Sequence, residues 1–180
     1  LFARCWLLVE GETEAWIFPA AARALGMKLH RDGVRIVEYS QSDVGLLAKV
    51  ANSLGLPWFC VIDDDSGKNE YEPKVRGNVA TASENDRLRL PYINMETHLL
   101  ENGYDTIYEA YMPEQNRAKL TKNLGEAGYW AEFADNLPRR GTKTRAAADA
   151  AGEMELRGPA GVTVEIRAVL EKVVALAGGG

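Results

Sequence analysis

Short apolar runs separated by helix-like stretches constrain this chain more than any other feature. Cys5–Val9 (CWLLV) and Trp58–Ile62 (WFCVI) are unbroken apolar segments, too short for helices, and Val34–Val37 (VRIV) is a third strand candidate between them. An unbroken apolar strand is one buried on both faces, which is the signature of a parallel sheet covered by helices. Glu12–Leu25 is rich in alanine and followed by Gly26, a helix with its stop signal. Pro19 inside it predicts a kink or a shifted start. Ser42 is placed to cap a second helix, on which Val44, Leu47, Ala48, Ala51 and Leu54 share one face before Gly55 and Pro57 end it. The order β-α-β-α-β predicts an α/β fold, a parallel sheet flanked by helices, with functional groups gathered at the carboxyl ends of the strands.

The remainder is less regular. Residues Ser66–Asp86 read as a polar loop, and Leu88–Ile93 as a fourth strand that Pro91 confines to an edge. Asn94 is a cap for a short helix carrying Glu96, and Tyr104–Leu137 reads as helical. Thr142–Ala151 and Val162–Leu176 are further helices; Val162, Ile166, Val169, Leu170, Val173 and Leu176 form an apolar stripe on the second. Cys5 and Cys60 lie inside apolar runs, as reduced core thiols of a cytoplasmic protein do. No apolar run approaches the roughly 20 residues a membrane span needs, so no membrane partner is expected. The chain opens on Leu1 and enters a strand almost at once, which reads as part of a longer polypeptide whose upstream domain is missing.

The strand ends carry acid. Glu10 closes the first strand and Glu14 falls in the first turn of the following helix, with Gly11 permitting a tight turn between them. Acidic residues also suit a helix N-terminus for purely structural reasons. Asp63, Asp64 and Asp65 follow WFCVI directly; in an extended chain Asp63 and Asp65 point one way and Asp64 the other. Adjacent carboxylates repel unless a cation sits among them. Glu96 adds another acid after the fourth strand candidate, and the nearby His98 reads as a polar helix residue. Five carboxylates, Glu10, Glu14, Asp63, Asp65 and Glu96, at one sheet edge suit two hard divalent cations, Mg2+ or Mn2+, and with them an in-line displacement at phosphorus. Net charge matters here: 21 basic against 26 acidic residues give −5, which excludes a simple basic nucleic-acid module but not an enzyme that meets phosphates through metal. Local cations remain. Arg139, Arg140, Lys143 and Arg145 crowd PRRGTKTR, where Lys143 is placed to offset transition-state charge, and Arg87 and Arg89 alternate on the fourth strand, placed to touch a nucleic-acid backbone.

These residues resemble a known family. VEGETE after an apolar strand and IDDD after another are similar to the Toprim domain, a Rossmann-like parallel sheet, of topoisomerases, primases and nucleases. VEGETEAWIFPAAARALG, LPYINMETHLL and GTKTRAAADAA bring the resemblance closest to the C-terminal nuclease region of the OLD (overcoming lysogenization defect) family of endonucleases. The resemblance implies that residues 1–100 and 141–177 form a Toprim catalytic domain and 101–140 a helical insertion. It implies Glu10 as metal ligand or general acid/base, Glu14, Asp63, Asp65 and Glu96 as metal ligands, and Lys143 as the lysine near the scissile phosphate. It further implies two-metal cleavage of DNA, an upstream ABC-type ATPase domain in the same polypeptide, and a homodimer as one available assembly. Two other readings stay open on the residues alone. In one, CVIDDDSG serves a haloacid-dehalogenase-like phosphatase with Asp63 as nucleophile. In the other, the carboxylates bind metal in a regulatory domain without catalysis.

Overall fold

Burial on both faces is what unbroken apolar strands require, and a computed structural model, which describes residues 3–64, 68–79, 88–89, 94–138 and 141–178, has it. In β1 (Cys5–Val9), Cys5, Leu7, Leu8 and Val9 are fully covered. β2 (Val34–Glu38) pairs with one side of β1 and β3 (Trp58–Val61) with the other. A short β4 (Leu88–Arg89) pairs with β3, giving the order β2-β1-β3-β4 with every pairing parallel. The connections are α1 (Glu12–Ala24) and the short α2 (Leu29–Asp32) between β1 and β2, α3 (Val44–Ser53) between β2 and β3, and α4 (Lys68–Arg76) between β3 and β4.

Strand alternation divides the core into two layers. Leu7, Val9, Phe59 and Val61 face one cluster, with Ile17 and Phe18 of α1; Leu8, Trp58, Cys60 and Ile62 face another, with Val44, Ala48 and Ala51 of α3 and Val75 of α4. Beyond the sheet come α5 (Met95–Leu99), a wide turn through Leu100–Tyr104, α6 (Asp105–Glu109), α7 (Glu114–Arg117), α8 (Tyr129–Asn136), α9 (Thr142–Arg157), a 3-10 turn and α10 (Val164–Gly178). α9 runs along α1, and each helix gives small buried residues to the same core layer, Ala20, Ala21 and Ala22 from α1 and Ala146, Ala150 and Ala151 from α9. Ile166, Val169, Leu170 and Val173 of α10 complete that layer, as the apolar stripe predicts. Among the described residues no helix is long and apolar enough to cross a membrane. Cys5 and Cys60 are buried and not joined in a disulfide.

Three local expectations change. α1 continues through Pro19 without interruption, held by the buried Phe18, Ala20, Ala21 and Ala22 around it. The cap of α3 is Asp43, not Ser42: its carboxylate accepts from the Leu46 N–H at 3.0 Å, one residue later, which places Val44 in the core. Part of Ser66–Asp86 is helix rather than loop; α4 buries Val75 and carries the pairs Lys74–Glu70 and Arg76–Glu72 at helical i,i+4 spacing. That short-range charge pattern was present in the sequence beneath the polar composition.

Candidate active site

The carboxyl ends of β1 and β3 are tied together by their neighbours. Beyond β2 the chain keeps pairing: the Tyr39 N–H donates to the Val9 carbonyl and the Ser40 N–H to the Glu10 carbonyl, both at 2.9 Å. The Tyr39 hydroxyl donates to the Val61 carbonyl at 2.9 Å, just before Asp63. Gly11 then caps α1 at φ −151°, extended backbone open to any residue, so the turn itself does not demand glycine. The Gly11 N–H donates to Glu14 Oε2 at 3.2 Å and holds that side chain back over the start of its own helix.

Glu96 arrives from the other half of the chain. Asn94 caps α5, accepting from the Thr97 N–H at 2.8 Å, as the sequence predicts, and puts Glu96 in the first turn. Thr13 Oγ1 donates to Glu96 Oε1 at 2.9 Å, and Lys143 Nζ, from the first turn of α9, stands 3.7 Å from Glu96 Oε2. Thr144, next to that lysine, donates to the Glu12 carboxylate. A cleft of about 440 Å³ results, lined by six carboxylates (Glu10, Glu12, Glu14, Asp63, Glu96 and Asp135) and one cation, Lys143, with Gly11, Thr13, Asn94 and Thr144 between them.

The charge is crowded. Glu14 is 4% exposed, and its pKa is pushed up to about 8, first by burial and then by the negative charges of Glu96 and Glu10. Without a counter-charge this carboxyl holds a proton at neutral pH. Burial likewise raises the Tyr39 hydroxyl, with Cys60, Glu10 and Asp63 adding to it, and raises the Cys60 thiol, with Glu10 adding to it. Cys60 is therefore a protonated core thiol and not a nucleophile. Burial, then Glu96 and Glu14, raise the Tyr108 hydroxyl of α6, which lies behind the same acids. Among the described residues no three acidic, histidine or cysteine side chains stand at ready-made metal spacing. The donor set is nevertheless all hard oxygen, and divalent cations would relieve the crowding of acids that raises Glu14, so the residues fit such ions.

Residues 1–65 match the family model of the overcoming lysogenization defect protein-like TOPRIM domain. That match covers 65 of the chain's 180 residues. It is 31% identical over 184 residues to the uncharacterized protein YbjD of Escherichia coli (strain K12), covering 99% of this chain but about a third (32%) of that protein's length. Its fold is similar to the C-terminal region of the Burkholderia pseudomallei OLD protein, with a TM-score of 0.72 at 18% identity over 98% of this chain and all of the other. The C-terminal region of the Xanthomonas campestris pv. campestris OLD protein matches with a TM-score of 0.65 at 17% identity, over 99% and 97% of the two chains. The fold is thus the TOPRIM-type α/β sheet with added helices that the sequence implied.

Within the acidic cleft the structure brings together Glu10, Glu14, Asp63, Glu96 and Lys143. Asp65, Arg87, Arg139 and Arg140 lie outside the described residues, and Arg89 is described only as backbone of β4. Arg145 is exposed on α9 and does not line the cleft. His98 is turned away from the acids, as a polar helix residue: its Nε2 is 2.8 Å from Thr163 Oγ1 and 3.9 Å from Glu165. Sequence reasoning missed Thr13, Glu12, Thr144 and Asp135. Thr13 and Glu12 sit inside VEGETE and were masked by the more telling glutamates. Asp135, exposed on α8, has no local motif and reaches the cleft only through tertiary packing.

Proposed function

We propose that this chain is the nuclease module of an OLD-family protein, hydrolysing phosphodiester bonds of DNA with two Mg2+ or Mn2+ ions. The observation that carries the reading is the convergence of Glu10, Glu14, Asp63 and Glu96 with Lys143 in one cleft at the carboxyl edge of the sheet. Glu10, Glu14, Asp63, Asp65 and Glu96 would hold the ions. When bound, the ions would supply activation of the attacking water and stabilisation of the leaving oxygen. The protein's own residues do the rest. Thr13 fixes the rotamer of Glu96 through its hydroxyl bond, and the Gly11 N–H fixes Glu14. Lys143 offsets negative charge that grows at phosphorus. Arg87, Arg89, Arg139, Arg140 and Arg145 supply phosphate contacts that an acidic chain otherwise lacks.

In this reading 1–100 and 141–177 form the catalytic unit and 101–140 a helical insertion, whose Asp135 closes one wall of the cleft. The chain spans about a third (32%) of the curated relative, which leaves room for the upstream ABC-type ATPase domain the family resemblance implies; a cytoplasmic location and a homodimer belong to the same reading. The test is conversion of supercoiled plasmid by the purified chain with Mg2+, Mn2+, Ca2+ or EDTA, beside Asp63→Ala. Nicking that requires Mg2+ or Mn2+ and disappears in the variant supports the proposal. A folded chain that is stabilised by the ions but cuts nothing points instead to a metal-binding regulatory module.

A further inference from the structure

A second cleft, of about 600 Å³, lies apart from the carboxylates, beside the amino-terminal half of β2. Three consecutive strand residues line it: Val34, Arg35 and Ile36. Pro19, Ala22 and Arg23 of α1 line it as well, and Val34 and Ile36 belong to the core layer on α1's side while Arg35 points the other way, so the cleft lies where that face meets the strand's outer edge. β2 is at the end of the sheet order and pairs only with β1; among the described residues no strand lies on its outer side. Past the buried Val34, where Arg35–Glu38 are partly or fully exposed, its outward N–H and C=O groups are therefore a template for another extended chain.

The chemistry around that edge is one-sided. Met27, Leu29 and Ile36, partly buried against the core, supply an apolar floor. Lys28, Arg31 and Arg35 are exposed along the cleft, and among its lining residues there is no acid, in a chain whose net charge is −5. A floor that takes aliphatic side chains, cations that take carboxylates and a backbone ladder describe one ligand class. A nucleic acid fits the cations but neither the floor nor the ladder.

We propose that the outer edge of β2 binds an extended, acidic and apolar segment of a partner protein, which adds to the sheet as a further strand. The proposal goes beyond the nuclease reading and does not depend on it. The experiment is selection of a random displayed peptide library on the immobilised chain, followed by affinity measurement of the enriched peptides. Enriched sequences alternating Asp or Glu with Val, Ile or Leu are expected. Their affinity should fall about tenfold or more in Lys28→Glu/Arg31→Glu/Arg35→Glu, fall with added salt, and be lost on N-methylation of alternate peptide bonds. Amide exchange should slow over Val34–Glu38 when peptide is bound. Plasmid cleavage, where the chain has it, should be unchanged in the triple variant, because these residues lie outside the acidic cleft. The proposal is overturned by no enrichment, by enrichment without acidic bias, or by binding that the triple variant leaves intact. Displacement of the peptide by a duplex of about 20 base pairs would assign the edge to nucleic acid instead. Self-association abolished by the triple variant would assign it to a second copy of the chain.

Discussion

Replacing Glu14 with glutamine should stabilise the metal-free protein, and do so increasingly as pH rises. Glu14 is buried, and its pKa in the folded chain is raised from 4.5 to about 8, mainly by burial and then by Glu96 and Glu10. The unfolded chain releases that proton near the ordinary glutamate value. Between the two, the folded state holds a proton that the unfolded state has lost. The resulting stability is complete below about pH 4.5 and is lost as pH rises through about 8. At about 1.4 kcal/mol per pH unit the swing is roughly 3–5 kcal/mol. Glutamine still accepts from the Gly11 N–H and carries no charge, so its curve lacks this slope. For a chain of this size the swing corresponds to a difference on the order of 10 °C in Tm. Urea unfolding in EDTA at about pH 5, 7 and 9 measures it: the gap between variant and parent should widen by roughly 3–5 kcal/mol across that range. Adding Mg2+ or Mn2+ should then recover the parent more than the variant, because ion binding needs the anion. Parallel pH curves in EDTA would refute the reasoning, since they would mean that Glu14 is not the crowded group its surroundings make it.

The same cleft yields three sharper tests. Asp63→Ala should abolish metal-dependent plasmid nicking while leaving the circular dichroism spectrum and unfolding midpoint near those of the parent, because it removes one carboxylate from a repelling set; an unfolded variant would count against the assignment. Thr13→Val, which keeps shape but deletes the bond to Glu96 Oε1, should cost about 1–2 kcal/mol of stability and slow cleavage about tenfold, with Thr13→Ser restoring both. Lys143→Met should lower the cleavage rate by about 10²–10³ with little effect on DNA affinity, and equal loss of binding and rate would make it a mere phosphate anchor.

What the sequence made legible follows from the range of the forces involved. CWLLV and WFCVI read as buried parallel strands because solvent exclusion on both faces leaves no polar position, and β1 and β3 are those segments. VEGETE placed Glu10 and Glu14 at a strand-to-helix junction, and they line the cleft there. Pairings across the chain were invisible. Nothing in VEGETE says that Thr13 will meet Glu96, 83 residues away. Pro19 misled for the same reason: local stereochemistry disfavours it inside a helix, but the buried face around it decides the outcome. At Ser42 and Asp43 two residues of equal capping ability compete, and the burial of Val44 selects between them.

The arrangement also makes the charge geometry of the cleft a property of helix packing. Lys143 and Thr144 reach Glu96 and Glu12 because α9 lies along α1, and both helices put buried alanines, whose side chains are only methyl groups, into the shared core layer. At the far end of the same two helices Arg23 closes on Glu155 at 2.6 Å, an exposed pair that fixes alignment more than it adds stability. The only cation in the acidic cleft, among the described residues, is therefore positioned by a surface roughly the length of α1 as well as by its own ion pair with Glu96. Its distance from the carboxylates shifts whenever that surface does. A lysine on a mobile loop would be held by its attraction to the acids and would follow them. A lysine on α9 is held by the core, so it stands in place before any phosphate arrives, which is what preorganised stabilisation of developing charge requires.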